Sequence, residues 1–295
     1  MLGMMFETLI TVDEARHGLG RADWQFVDCR FDLRDSDAGR AAYERAHVPG
    51  AVYAHLDDDL SGPVLPGQTG RHPLPDHDTM TSLIRRWGLG ARTQAVVYDD
   101  MGGRIAARLW WMLRYAGIDR VAVLEGGWPA WTSAGLPVDQ APAQISPSEY
   151  VPSFREQEVV SASELQAWLG AKGAPMLLDA RATPRFLGEV EPLDPVAGHI
   201  PGAVSSPCAD SLREDGTFRP RDALRDEFSS ILSDRAEGAA LVAPVAYCGS
   251  GVTACHLILA MTHAGVATPR LYPGSWSEWC ADATRPVSVG ATTSK

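Results

Sequence analysis

The chain has 295 residues, 45% hydrophobic and 21% charged, with 37 acids against 26 bases and a formal net charge of −11. Such a composition is globular and long enough for two ordinary domains. An acidic balance without a basic run argues against nucleic acid or an anionic membrane as the main partner.

No apolar run approaches the ~20 residues needed to span a bilayer. The start, Met1–Glu7, has neither a basic leader nor a long apolar stretch, so no secretory signal is expected. The five cysteines are scattered and none forms a Cys-x-x-Cys pair, which argues against a disulfide framework and a zinc site. A reducing, cytoplasmic setting is the expectation.

In chain order, Val12–Gly18, Asp76–Trp87 and Ile105–Tyr115 read as helices, and Gln25–Asp28, Ala51–Tyr53, Ala95–Tyr98 and Val121–Leu124 as strands. Short β-rich runs spaced by helices predict parallel pairing, hence an α/β sheet covered on both faces. The stretch from Gln140 to Pro152 contains three prolines and no apolar periodicity, which suits an extended linker. Ser161 and Glu164 are spaced as a capping box opening the next helix. The last residues, 290–295, read as a frayed tail.

The second half repeats the first. Phe26-Val27-Asp28-Cys29-Arg30 returns as Leu177-Leu178-Asp179-Ala180-Arg181, and the His47-Val48-Pro49-Gly50 segment returns as His199-Ile200-Pro201-Gly202. Strand Ala95–Asp99 is answered by Pro244–Cys248, and Trp128-Pro129-Ala130-Trp131 by Trp276-Ser277-Glu278-Trp279. All four pairs keep their order at offsets of 148 to 152 residues, so the halves are copies of one fold. The expected division is 1–139 for the first copy, 140–158 for the linker and 159–295 for the second copy. The Asp-x-Arg pairs at strand ends and His47 and His199 before Pro-Gly turns read as structural. Trp128, Trp131, Trp276 and Trp279 read as core or cleft wall.

The chemistry concentrates at Cys248. Leu241–Tyr247 reads as a buried strand, Cys248 closes it, Gly249 and Gly251 loosen the turn, and an apolar-periodic helix begins at about Val252. That arrangement aims backbone N–H groups and the positive end of a helix dipole at the sulfur, which favours a thiolate. The remaining cysteines, Cys29, Cys208, Cys255 and Cys280, read as structural, with Cys255 placed about two turns into the helix.

On the loop Cys248-Gly249-Ser250-Gly251-Val252-Thr253-Ala254, the tandem repeat, the His-x-Pro-Gly segments and the paired tryptophans, nearly the whole chain resembles the rhodanese superfamily, specifically the 3-mercaptopyruvate sulfurtransferases. The resemblance implies two tandem rhodanese-like domains, the first catalytically silent because Asp99 stands where the cysteine would be. It implies a persulfide on Cys248, a small-molecule sulfur donor, release of pyruvate, and an acceptor such as cyanide, a thiol or thioredoxin, with no cofactor and no metal. Gly249, Gly251, Val252 and Thr253 would wrap the transferred sulfur, and Ser250 would handle protons on the leaving enolate. Arg185 corresponds to the arginine that grips the donor carboxylate. His72 and Asp57 correspond to a histidine and an acid, supplied by the silent copy, that complete a Cys/Ser/His/Asp cluster.

The chain departs from that pattern at one place. The animal enzymes carry a second substrate-binding arginine nine residues after the first, where this sequence has Asp194 following Leu193. Arg71 and Arg104 are candidates to replace it. The uncharged Gly249-Ser250 pair favours monoanionic mercaptopyruvate over thiosulfate, whose enzymes place Arg and Lys there. Cysteine phosphatases need an arginine six residues after the cysteine, where Ala254 stands. A thiosulfate sulfurtransferase, a persulfide carrier and a regulatory rhodanese-like module are the alternatives, the last disfavoured by the intact cysteine loop.

Overall fold

The computed structural model describes residues 5–233 and 242–291. It divides into two compact units, one of Met1–Gly62, Leu74–Glu156 and Glu214–Thr217, the other of Pro63–Pro73, Gln157–Arg213 and Phe218–Lys295.

The first unit runs β1 (Leu9–Ile10), α1 (Val12–Ala15), β2 (Trp24–Asp28), α2 (Ala38–Arg45), β3 (Val52–Tyr53), α3 (His77–Arg86), β4 (Gln94–Tyr98), α4 (Ala106–Tyr115), β5 (Val121–Leu124) and α5 (Gly127–Ser133). Its five strands are all parallel in the order β1-β5-β4-β2-β3. The helix expected over Val12–Gly18 is one α-turn continued as a 3-10 turn over Arg16–Gly18, close to where Leu19 and Gly20 break the pattern. Ile10, Phe26, Val96, Tyr98, Leu124 and Trp131 form its core, contributed by alternate positions of the strands and by α5. Residues beyond α5 stay with this unit as far as Glu156, held in part by Tyr150, whose hydroxyl donates to the Ala116 carbonyl at 3.1 Å.

The second unit runs α6 (Ala162–Trp168), β6 (Leu177–Asp179), α7 (Thr183–Leu187), β7 (Val204–Ser205), α8 (Arg221–Ser233), β8 (Val245–Tyr247), α9 (Thr253–Ala264), β9 (Arg270–Leu271) and α10 (Ser275–Trp279). Its sheet is again parallel, in the order β7-β6-β8-β9, with Val159 bridging Leu271 where the first unit has β1. The same capping box opens the first helix of each unit, Thr11 with Glu14 and Ser161 with Glu164, each satisfying two orphan backbone donors. The chain is therefore an α/β protein of two related parallel sheets with helices packed on them.

Four details differ from expectation. Strand β8 begins at Val245; Val242 is exposed, and Leu241 lies outside the described residues. Helix α9 is buried all round from Ala254 to Met261, so its apolar residues form a continuous run and not a one-sided stripe. Cys255 is its third residue, in the first turn and not the second, where its thiol donates to the Gly251 carbonyl at 3.3 Å. In the tail, the Gly290 N–H donates to the Leu187 carbonyl at 2.9 Å, and 292–295 lie outside the described residues.

The repeated ion pairs are structural, as read. Arg30 binds both oxygens of Asp28 and the Ala46 carbonyl and lies 4.3 Å from the Trp128 ring centre. Arg181 does the same with Asp179, the Gly198 carbonyl and Trp276, at 4.7 Å. A buried guanidinium paired with a carboxylate and a backbone carbonyl and lying against a tryptophan ring ties a strand end to its surroundings.

Candidate active site

Cys248 follows the last residue of β8, which pairs with β6 on one side and β9 on the other, so the sulfur sits at the carboxyl edge of the sheet. Ligands of parallel α/β sheets gather at that edge. The loop over residues 248–252 turns into α9, with Val252 at the cap and Thr253 as the first helical residue. Gly251 has φ +79°, and a Cβ there would collide with the Pro273 carbonyl, so the turn requires glycine. The Gly251 N–H donates to Cys248 Sγ at 3.2 Å. Such a bond becomes charge-assisted when the sulfur is anionic.

Ser275 holds the cysteine from behind, a role the sequence did not reveal. Its hydroxyl accepts from the Cys248 N–H at 3.0 Å and donates to the Tyr272 carbonyl, while its backbone takes φ +55°. Left-handed backbone at a non-glycine residue costs about 1–3 kcal/mol and persists where its surroundings dictate it. The Trp276 and Ser277 N–H groups donate to the Cys248 and Gly249 carbonyls, both at 2.9 Å, and fix the loop to α10.

Among the other cysteines, burial pushes the Cys29 thiol well above its ordinary value and the Cys280 thiol up to about 11. Both suit the structural role read for them.

The segment Pro63–Pro73 belongs to the second unit, although its sequence falls within the first copy. Gly70 makes this possible, since a Cβ there would strike the Gly274 carbonyl, and the Arg71 N–H donates to Ser277 Oγ at 3.1 Å. The next residue, His72, is buried and its Nδ1 lies 2.7 Å from Ser250 Oγ. His72 lies in the first half of the sequence, on the strap Pro63–Pro73 that packs with the second unit.

Arg185 lies on α7 and is engaged by acids. Glu191 accepts from its Nε and Nη2 at 3.1 and 2.6 Å, and Asp194 accepts from the same Nη2 at 3.1 Å. The other Asp194 oxygen pairs with Arg71 Nη1. Burial pushes the Asp194 carboxyl up, an effect that Arg71 and Arg185 only partly offset. Burial acts on Glu191 in the same direction, but the Arg185 hydrogen bond and charge prevail and hold it below its ordinary range. A Cβ at position 249 would lie 3.0 Å from Arg71 Nη2 and 3.4 Å from Arg185 Nη1, so both guanidiniums border the loop. Two cations therefore border the uncharged Gly249-Ser250 pair, Arg185 and, of the candidates for the missing arginine, Arg71. The departure at position 194 was the available signal, because an acid where a base is expected needs a cation opposite it.

The second unit brings together Cys248, Gly249, Ser250, Gly251, Val252, Thr253, Arg185 and His72. Asp57, exposed in the loop after β3, belongs to the first unit. Arg104 also belongs to the first unit. Among the described residues there is no cluster of metal-ligating side chains and no helix long and apolar enough to cross a membrane.

Residues 11–134 and 161–282 each match the rhodanese-like domain family. A Pseudomonas aeruginosa protein named "Probable 3-mercaptopyruvate sulfurtransferase" is 46% identical over 283 residues, covering 96% of this chain and 98% of its own. A Mycobacterium tuberculosis protein named "Putative thiosulfate sulfurtransferase SseB" is 40% identical over 287 residues, covering 96% and 98%. The solved 3-mercaptopyruvate sulfurtransferase from Leishmania major superposes with a TM-score of 0.80 at 32% identity, over 92% of this chain and 74% of that one. A cysteine at the mouth of a rhodanese-like sheet, in a chain of two such domains with these relatives, makes the protein a sulfurtransferase of the 3-mercaptopyruvate/thiosulfate sulfurtransferase family.

Proposed function

We propose that the protein takes sulfur from 3-mercaptopyruvate onto Cys248 and passes it to a thiophilic acceptor such as cyanide, a thiol or thioredoxin. The observation that carries this reading is the 2.7 Å contact between Ser250 Oγ and His72 Nδ1 in the loop of the nucleophile. Mercaptopyruvate leaves as an enolate that must gain a proton, whereas thiosulfate leaves as sulfite, which needs none. A hydroxyl relayed by an imidazole serves the first donor and is idle for the second.

In this scheme the Cys248 thiolate attacks the donor thiol sulfur and the bond from C3 to sulfur breaks, leaving its electron pair on the enolate. The thiol proton travels through Ser250 and His72 to the enolate carbon, giving pyruvate and an anionic persulfide. Asp57 completes the set as the acid proposed to orient the imidazole. Arg185 holds the donor carboxylate, and the N–H groups around Gly249, Gly251, Val252 and Thr253 hold the persulfide charge. The acceptor then attacks the outer sulfur and the Cys248 thiolate is released. A silent copy over 1–139, a linker over 140–158 and a catalytic copy over 159–295 go with this reading.

A thiosulfate donor is the second reading, supported by the name of the mycobacterial relative. Comparing kcat/KM for both donors with cyanide, dithiothreitol and thioredoxin as acceptors decides between them. Mercaptopyruvate is expected to be preferred; preference for thiosulfate installs the second reading, and turnover of neither leaves a carrier. In R185A, KM for mercaptopyruvate should rise about ten- to a hundredfold, the worth of a charge-assisted pair. An equal rise for thiosulfate would contradict a carboxylate-specific grip.

A further inference from the structure

One residue of α10 holds both members of the hydroxyl–imidazole pair from one position upstream. The Ser277 hydroxyl accepts at 3.1 Å from the backbone N–H of Arg71, the residue before His72. The Ser277 N–H donates at 2.9 Å to the carbonyl of Gly249, the residue before Ser250. The same hydroxyl donates to the Gly274 carbonyl at 3.4 Å, at the start of the helix. Along the strap, Pro63 to Gln68 are exposed, and only Gly70 and His72 are buried. Gly70 permits the close approach, since a Cβ there would strike the Gly274 carbonyl and stand 2.9 Å from Ser277 Oγ. In the first copy the residue matching Ser277 is Pro129, which has neither an N–H nor a hydroxyl, so neither tie can form there.

We propose that Ser277 is a positioning residue for sulfur transfer: it latches the strap to the nucleophile loop and so sets the distance between His72 Nδ1 and Ser250 Oγ. This rests on the reading of that pair as the proton relay for a leaving enolate. His72 and Ser250 are each one residue away from an atom of Ser277, so a shift at either tie reaches their 2.7 Å contact almost undiminished. Proton transfer needs the two heavy atoms within about 2.6–3.2 Å of each other. An exposed strap has the mobility of a surface loop. The tie at residue 71 removes that mobility next to the imidazole, where a misplacement of about 1 Å is costly.

The experiment uses the full chain with three variants. S277A removes the hydroxyl and keeps the N–H, S277T restores a hydroxyl, and G70A sets a methyl against the Gly274 carbonyl. In S277A, kcat with mercaptopyruvate should fall about three- to tenfold, the worth of one hydrogen bond. KM should stay within about twofold, because the imidazole serves the leaving group and not the bound donor. S277T should recover most of the loss, and G70A should exceed it. The second readout needs no turnover: the imidazole NMR signals of His72, assigned by their absence in H72Q. In S277A and G70A they should move toward their positions in S250A, where the partner hydroxyl is gone, and in S277T they should stay. Signals that move as stated while kcat with mercaptopyruvate is unchanged, or absent in wild type, overturn the relay reading and leave the latch standing. Signals that stay in S277A, or that move equally in S277T, overturn the latch whatever the rates do. If G70A does not fold, S277A against S277T decides, since the half-buried Ser277 is replaced without emptying the core.

Discussion

The loops that follow the central strands of the two units share a frame and differ in what fills it. Each follows a tyrosine, Tyr98 or Tyr247, whose hydroxyl accepts from a backbone N–H in the adjoining Pro-Gly segment, Val48 at 3.1 Å or Ile200 at 3.2 Å. Each is pinned from behind by a tryptophan N–H, Trp128 on the Asp99 carbonyl at 2.8 Å and Trp276 on the Cys248 carbonyl at 2.9 Å. The residue before that tryptophan has left-handed backbone in both, Gly127 at φ +56° and Ser275 at φ +55°.

In the first unit the Asp99 carboxylate accepts from four backbone N–H groups, those of Met101, Gly103, Ile105 and Ala106, at 2.7 to 2.9 Å. In the second unit the corresponding side chain is a thiol with one such bond, from Gly251. The lesson is that this strand–loop–helix turn is an anion cradle by construction. One copy fills it permanently with its own carboxylate. The other leaves it to the Cys248 sulfur, which in the proposed transfer gains and loses its charge. Ser275 adds a further asymmetry, since it supplies an acceptor for the Cys248 N–H where Gly127 has no side chain.

The sharpest break of this comparison is C248S, which should lower sulfur transfer by ~10³-fold or more while the fold survives, because only the sulfur that forms the persulfide is replaced. Retention of most turnover, measured with either donor and cyanide, would remove the nucleophile from the scheme. Next comes D99N, which keeps the shape but sets an amide against two buried donors. Denaturant unfolding should show a loss of about 2–4 kcal/mol, reflecting donors left unmatched at a buried charge. A change under about 0.5 kcal/mol would mean that the carboxylate is not what holds the first loop together.

The smallest effect separates the two Pro-Gly histidines. His199 stacks on Phe186 at 3.8 Å, and its Nδ1 lies 2.8 Å from the Phe186 carbonyl. Burial holds its pKa below the ordinary 6.5, despite that hydrogen bond. The folded form therefore binds a proton less readily than the unfolded chain. Its contribution to stability is full above pH 6.5 and is lost as pH falls through the lower, folded value, at less than ~1.4 kcal/mol per pH unit. Melting temperatures of wild type and H199Q between pH 5 and 7.5 should converge as the pH falls, and parallel curves would reject the assignment. His47 differs in having carbonyl oxygens at both ring nitrogens, Tyr43 at 2.7 Å and Ala141 at 3.1 Å, so the same substitution there removes a second tie.

Features written in neighbouring residues were legible in the sequence. The strand ending at Cys248, the glycine that its turn requires, the capping box at Ser161 and the Asp-x-Arg ion pairs each depend on a few adjacent positions and on backbone preferences. Tandem duplication made them easier to see, because the same pattern occurs twice. The placing of Cys255 and the start of β8 were missed, since apolar runs mark burial well and element boundaries poorly.

Contacts between distant segments were settled only by tertiary structure. Arg71 meets Asp194, His72 meets Ser250 and Ser275 meets Cys248 across separations of 123, 178 and 27 residues. Nothing local to those residues announces their partners: charge, hydroxyl and imidazole are ordinary in any loop. Their roles arise because a strap carrying Gly70, Arg71 and His72 leaves one compact unit and packs on the other. The sequence by itself pointed to Cys248 and to the turn that cradles its sulfur. The tertiary structure decided which cations border that cradle and which acid restrains them, because electrostatics depends on distance in space and not on distance along the chain.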